Sequence, residues 1–500
     1  MGVWSRRAVL AGLVSSPVIA AGCIAGTATQ KAPPDEGAGS GVALEGPAPA
    51  GYRRLPIPPA AESRTENGVR WFTLEARPGR WNIVADRTTP TWGYSQDLLG
   101  PTLRARRGET VGVRVRNLLP ETTSVHWHGM HLPARFDGGP HQPIAPTETW
   151  EPSWVIAQPA ATLWYHPHPH GSTQTHTYRG LAGLFLVDDE TGDGAGLPNE
   201  YGVDDLPVIV QDKKLNPDGT LDERDDTGAG LIGPTVTVNG IAGAYAPVVT
   251  DRVRLRIVNG STMRVYNLGL DDNSEFEVVA SDGGLLAAPV RLRRLVLTPG
   301  ERAEIVVRMQ VGQRRTLRSF PTPARGGKNR GPSAGAAQGE EFEILLLSPQ
   351  PQLRPGTATP SVLAAIPPPA TRASVTRAFE LDGNSINGLP MDMNRIDATA
   401  TVDVPEIWTV TNSHNRVHNF HVHNNHFQVL DVNGNPPPPE LAGWKDTVAV
   451  PSSGSVRLAV VFRDYADPRN PYMYHCHLMR HEDDGMMGQF LVVGPGQQAR

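Results

Sequence analysis

The run His475-Cys476-His477, with His481 and Met486 after it, sets the narrowest limits on how this chain can fold. It holds the only cysteine outside the N-terminal signal region. A thiolate, an imidazole a few residues on and a thioether beyond it are the ligand types of a blue-copper electron-transfer site. Side chains alternate across an extended run, so the two histidines point the opposite way from Cys476. One tripeptide then serves two metal sites, a short covalent wire between them.

The other histidines point the same way. Ten of the 16 fall into four clusters. These are His126-Trp127-His128, His166-Pro167-His168, His418-Asn419-Phe420-His421-Val422-His423, and the His475-Cys476-His477 run with His481. In each His-x-His both imidazoles share one strand face, which suits two metals held close together. Imidazoles with a thiolate favour copper over magnesium or calcium. A lone cysteine is more often an inert buried thiol, and a lone His-x-His is a weak sign. Four such clusters with one shared cysteine are a strong one. His131, His141, His170, His176, His414 and His426 stand apart and read as ordinary polar or hydrogen-bonded residues.

Five hundred residues suit about three domains. Helical periodicity is scarce, and short β-rich runs recur instead: Thr110–Val115, Val253–Val258, Arg302–Val307, Glu406–Val410 and Val456–Val461. Fifty-two glycines and 47 prolines punctuate them, the pattern of antiparallel sandwiches with many turns. The net charge is −5, with no basic stripe for nucleic acid and no apolar run long enough to span a membrane.

Taken in order, the four clusters resemble the copper-binding motifs of the multicopper oxidases, the family of laccases, bilirubin oxidase and bacterial copper-efflux oxidases. The resemblance covers roughly residues 65–495. It includes Trp444-Lys445-Asp446-Thr447-Val448 and His481-Glu482-Asp483, most similar to the efflux oxidases and bacterial laccases. It implies an all-β chain of three consecutive cupredoxin-like Greek-key β-sandwich domains, at 60–195, 200–350 and 371–496. The middle one has no histidine and is expected to be a spacer.

The resemblance also implies four copper ions. His418, Cys476 and His481 would hold type 1 copper, with Met486 as a weak axial ligand and Met487 in the core. His126 and His421 would hold type 2 copper. His128, His166 and His477 would hold one type 3 copper, and His168, His423 and His475 the other. The family usually has proline after the first histidine of the third motif; here it is Asn419, which removes no ligand. Electrons from a reducing substrate would pass through Cys476 to His475 and His477, and dioxygen would be reduced to water. Asp137 and Glu482 match acids that the family uses to deliver protons, a general-acid role; each is also a plain loop acid, since Asp-Gly is a common turn pair. Phenols and aromatic amines are the leading donors. Cuprous ion is the alternative, weakened because the chain has 10 methionines and no methionine-rich insertion. Two further readings are a nitrite reductase, which does not need the full histidine set, and a non-catalytic copper-binding scaffold.

The N-terminus reads as an address. Ser5-Arg6-Arg7 resembles a twin-arginine export signal, over residues 1–22. Ala20-Ala21-Gly22-Cys23 resembles a lipoprotein processing box, with Cys23 as the possible anchor point. Residues 23–59 read as a flexible linker. These features place the protein outside the cytoplasm, in the periplasm, the cell envelope or the medium. No second cysteine is then left to pair with Cys476, so disulfides add nothing to stability.

Overall fold

The computed structural model describes residues 48–226, 228–322 and 340–499. The twin-arginine segment, Cys23 and the Arg325–Gly331 segment lie outside the described residues. Every β-rich run named from the sequence is a strand. Thr110–Asn117 shows why: Val111, Val113 and Val115 are buried, while Arg114 and Arg116 turn outward. Each buried valine contributes roughly 1.5–3 kcal/mol relative to exposure, which fixes the register against a one-residue slip.

Six sheets pair into three sandwiches. In the first, Val69–Trp81 and Thr110–Asn117 lie in one sheet. Leu103–Arg106, Gly183–Asp188, Ala161–His166 and His126–His128 form the other. Phe72, Val113, Leu163 and Phe185 fill the space between them. The second sandwich has two six-stranded sheets, one containing Arg252–Asn259 and Arg302–Arg308. In the third, Glu406–Asn412 and Ser455–Val460 belong to one five-stranded sheet. The other runs Ala398–Thr401, Met487–Val493, Asp467–His475, His418–Val422, Thr447–Val450. Trp408, Phe420, Tyr474 and Phe490 pack at its centre.

Two pairings aim the histidines. His126–His128 runs antiparallel to Ala161–His166, with His126 opposite His166. His418–Val422 runs antiparallel to Asp467–His475, with His421 opposite His475. The reading of residues 23–59 as a free linker needs correction at its end. Arg53–Arg54 pairs in parallel with Ala244–Tyr245, and Leu55 is buried in the core of the second sandwich. Its apolar side chain and backbone hydrogen bonds tie this stretch down. Among the described residues no helix is long and apolar enough to cross a membrane.

Candidate metal centre

Eight imidazoles, four from the first sandwich and four from the third, converge where those two sheets meet. His126 stacks on His423 and His128 on His421, each pair with ring centroids 3.8 Å apart. All eight are buried.

Their hydrogen bonds fix which nitrogen faces inward. His126 donates Nδ1–H to the Asp137 carbonyl, His166 to the Pro167 carbonyl and His421 to the Asp446 carbonyl, each at 2.9 Å. His423 donates Nδ1–H to the Asp137 carboxylate at 2.7 Å. His128 is reversed, with Nε2 3.0 Å from Asp446 Oδ1. A neutral imidazole has one N–H. Once that is committed outward, the inward nitrogen carries only a lone pair.

These inward nitrogens crowd together. His166 Nε2 lies 3.4 Å from both His128 Nδ1 and His477 Nε2. His475 Nε2 lies 3.2 Å from His168 Nε2 and 3.1 Å from His423 Nε2. The Nε2 atoms of His126 and His421 are buried without any partner. Facing lone pairs repel unless cations lie between them, so this donor set fits metal ions. Burial holds His128, His166, His423 and His477 well below the usual imidazole range, and lowers His168 to about 3 and His421 to about 4. Their neutral form at pH 7 is the ligand form.

A second donor set forms where Cys476 follows the strand Asp467–His475, His418 opens the strand His418–Val422 and His481 lies in the short helix Met479–Asp483. Cys476 Sγ is 3.5 Å from His418 Nδ1 and 3.7 Å from His481 Nδ1. Metal–sulfur and metal–nitrogen bonds of about 2.3 and 2.0 Å at 120° put such atoms about 3.7 Å apart. Burial pushes the Cys476 thiol up to about 12, so a thiolate here needs a cation beside it. Met486 shares the apolar cluster of Cys476, whereas Met487 pairs with His475 in the sheet.

Carboxylates stand behind the imidazoles. Asp137 holds His126 through its carbonyl and His423 through its carboxylate. Glu482 lies 3.1 Å from His475 Nδ1 and 3.4 Å from His168 Nδ1. Burial pushes Glu482 up, but His168 and His475 outweigh it and hold the carboxyl well below its usual range. Asp446 braces His128 by its carboxylate and His421 by its carbonyl.

Asp446 is in turn gripped by Arg302 of the second sandwich, at 2.7 and 2.5 Å. The neighbouring Lys445 pairs with Asp282 at 2.9 Å and Glu301 at 2.8 Å. The middle domain is therefore more than a spacer. Although it has no histidine, its Thr298–Arg302 segment backs the histidine cluster.

The sequence matches the multicopper oxidase family over residues 75–192, 213–326 and 365–495. The chain belongs to the multicopper oxidase family. It is 35% identical to the multicopper oxidase mco of Staphylococcus haemolyticus, over 89% of this chain and 93% of that one. It is 36% identical to the cell division protein FtsP of Escherichia coli, over 90% of this chain and 95% of that one. Among solved structures it is similar to a laccase from Pediococcus acidilactici, with TM-score 0.81 and 32% identity. That match covers 89% of this chain and 94% of the other.

All ten clustered histidines and Cys476 fall within these two donor sets. Of the isolated histidines, His141 bonds Gln489, His176 bonds Thr123 and His426 bonds the Gly129 carbonyl. His414 departs from that pattern, lying 3.3 Å from Nε2 of His418. Sequence reasoning gave no role to Asp446, Arg302 or Asn419. The Trp444–Val448 motif flagged the first as a family signature and the missing proline marked Asn419 as unusual; nothing tied Arg302 to the site.

Proposed function

We propose that this multicopper oxidase takes single electrons from an organic donor, a phenol or aromatic amine, and delivers them to dioxygen. In this reading His418, Cys476 and His481 hold a type 1 copper with Met486 as weak axial ligand. His126 and His421 hold a type 2 copper. His128, His166 and His477 hold one type 3 copper; His168, His423 and His475 hold the other. When bound, these four ions supply one-electron uptake near the surface and four-electron reduction of dioxygen to two waters inside.

The observation that carries the reading is Cys476 flanked by His475 and His477, with Cys476 in one donor set and both neighbours in the other. The chain itself provides the covalent link between the two sites. Burial keeps water from the inner imidazoles, and the outward N–H bonds of His126, His128, His166, His421 and His423 hold those rings ready to bind. In this reading Asp137 and Glu482, beside His423 and His475, accept and pass on the protons that oxygen reduction consumes. The export signal and the Cys23 box support an envelope or extracellular location, with Cys23 as lipid anchor. Cuprous ion remains the alternative donor.

The similarity to FtsP favours a second reading, a non-catalytic scaffold on the same fold. The complete donor set weighs against it, and against a nitrite reductase. Oxygen uptake by copper-loaded protein tests all of these, with a methoxyphenol and cuprous ion as separate donors and Cys476→Ser as blank. Uptake with the phenol supports the laccase-like reading. Uptake with cuprous ion alone makes it a metal oxidase, and none with either, in protein that holds copper, leaves the scaffold.

A further inference from the structure

We propose that the cleft where the three sandwiches meet binds an aromatic carboxylate, with Arg107 as its anchoring cation and Trp444 as a wall for its ring. The cleft is built from side chains outside both donor sets.

Two cavities, of 590 and 260 Å³, adjoin there and share Arg107, Pro159 and Trp444. The larger opens between the first and third sandwiches, and the smaller also reaches Gly283 and Leu285 of the second. Pro367 and Pro368, in the crossover to the third sandwich, line the larger one. The crossover is tied down on both sides. Leu363 N–H donates to the Ala287 carbonyl at 2.9 Å, and Gln428 Nε2 donates to the Pro367 carbonyl at 2.9 Å. Trp444 is clamped as well. Its carbonyl accepts from Gly283 N–H at 2.8 Å and from Ser281 Oγ at 2.9 Å, and a Cβ on Gly283 would come within 2.6 Å of Trp444 Cβ. The walls are thus set in place before any ligand arrives. A preformed cavity of this size, mostly apolar with a few polar groups, is the ordinary form of a small-molecule site.

Two amides that line the larger cavity carry unpaired atoms. Gln158 is buried and spends Nε2 on the Gly129 carbonyl at 3.2 Å and Met130 Sδ at 3.1 Å, while its Oε1 has no partner. Asn425 Nδ2 is also buried and unpaired. Polar atoms left in this way point to a partner that the chain does not supply.

Charge decides the class of ligand. Arg107 is exposed, and its backbone is fixed by an N–H bond to the Asp188 carbonyl at 2.8 Å. Among the described residues its guanidinium makes no ion pair. Asp189, the acid that lines the smaller cavity, has both oxygens committed, to Ala160 N–H at 2.9 Å and Gly192 N–H at 2.7 Å. The other charged groups of the larger cavity face one another, Arg463 with Asp403 at 3.9 Å and Asp464 with His131 at 3.7 Å. A free guanidinium binds a carboxylate through two parallel hydrogen bonds. Pro159 and Trp444, which share the junction of the cavities with it, offer the flat apolar surface that an aromatic ring needs. An occupant here touches all three sandwiches at once and stabilises their assembled form.

The test uses the full copper-loaded chain, with 2-naphthoate as probe and 2-naphthalenemethanol as its uncharged counterpart. Neither is a phenol, so binding is read without turnover and stands apart from the oxidase reading. Calorimetry is expected to show saturable one-to-one binding of naphthoate, with a raised melting temperature. Arg107→Gln is expected to weaken naphthoate binding about tenfold, the loss of one charge-assisted contact, and to leave the alcohol unaffected. Ala370→Trp, which fills the larger cavity from the half-buried crossover, should abolish binding of both. No saturable binding, or binding that neither substitution alters, overturns the site. Alcohol that binds as tightly as naphthoate overturns the carboxylate assignment.

Discussion

At the residue scale, Asn419 shows how a departure from a family pattern acquires a use. Its Oδ1 accepts from His477 N–H at 2.6 Å and lies 3.5 Å from Cys476 Sγ. Its Nδ2 donates to Thr298 Oγ1 at 3.0 Å and to the Pro299 carbonyl at 2.8 Å. One buried amide thus clamps the Cys476–His477 peptide to the second sandwich. Asn419→Ala leaves a buried N–H and a buried carbonyl unpaired, each costing about 1–3 kcal/mol. The expected result is a lower melting temperature together with a shifted blue absorption band in the copper-loaded protein. An unchanged band at lowered stability would reduce Asn419 to a packing role. The sequence marked this position only as an odd residue beside a ligand. Its partners lie 57 to 121 positions away, beyond the reach of any local pattern.

At the element scale, the decisive piece is the Thr298–Arg302 turn. Pro299-Gly300 is a plain turn signal in the sequence, and it says nothing about what the turn touches. The structure puts it against the inner site. Gly300 has φ +85°, and a Cβ there would come within 2.9 Å of the His477 ring. Glycine is needed both for the left-handed backbone and for the close approach. Gly300→Ala is expected to displace His477 and weaken the copper proposed at His128, His166 and His477. Metal analysis after dialysis should then give fewer than the four coppers proposed per chain, in protein whose circular dichroism is unaltered. Full retention of copper would show that the ring can give way. The strands were far easier to read than this turn. Alternating valines specify a strand by their own spacing, whereas a turn's role depends on the surface it meets.

At the scale of the whole molecule, buried charged side chains that hydrophobic periodicity could not reveal join the sandwiches, Arg302 pairing with Asp446 between the second and third and Glu304 bonding Thr162 between the second and first. Glu304, in the second sandwich, accepts from Thr162 of the first at 2.6 Å and lies between Arg254 and Arg256. Burial pushes its carboxyl up, but Arg254 and Arg256 outweigh this and hold it at about 2, against an ordinary value of 4.5. The pKa is lower in the folded state than in the unfolded one. The resulting stabilisation is therefore complete above pH 4.5 and is lost as the pH falls toward 2. A shift of this size corresponds to on the order of 3 kcal/mol. Copper ligation has its own acid dependence, so the measurement belongs in copper-free protein, with denaturant unfolding at stepped pH. Glu304→Gln should be less stable than the parent at pH 7, because it leaves two arginines buried with less negative charge. The gap between the two proteins should then narrow between pH 4.5 and 2 as the parent's carboxylate takes up its proton. A gap that stays constant across that window would mean that Glu304 is not held as a buried carboxylate at this joint, and that packing alone keeps the first and second sandwiches together.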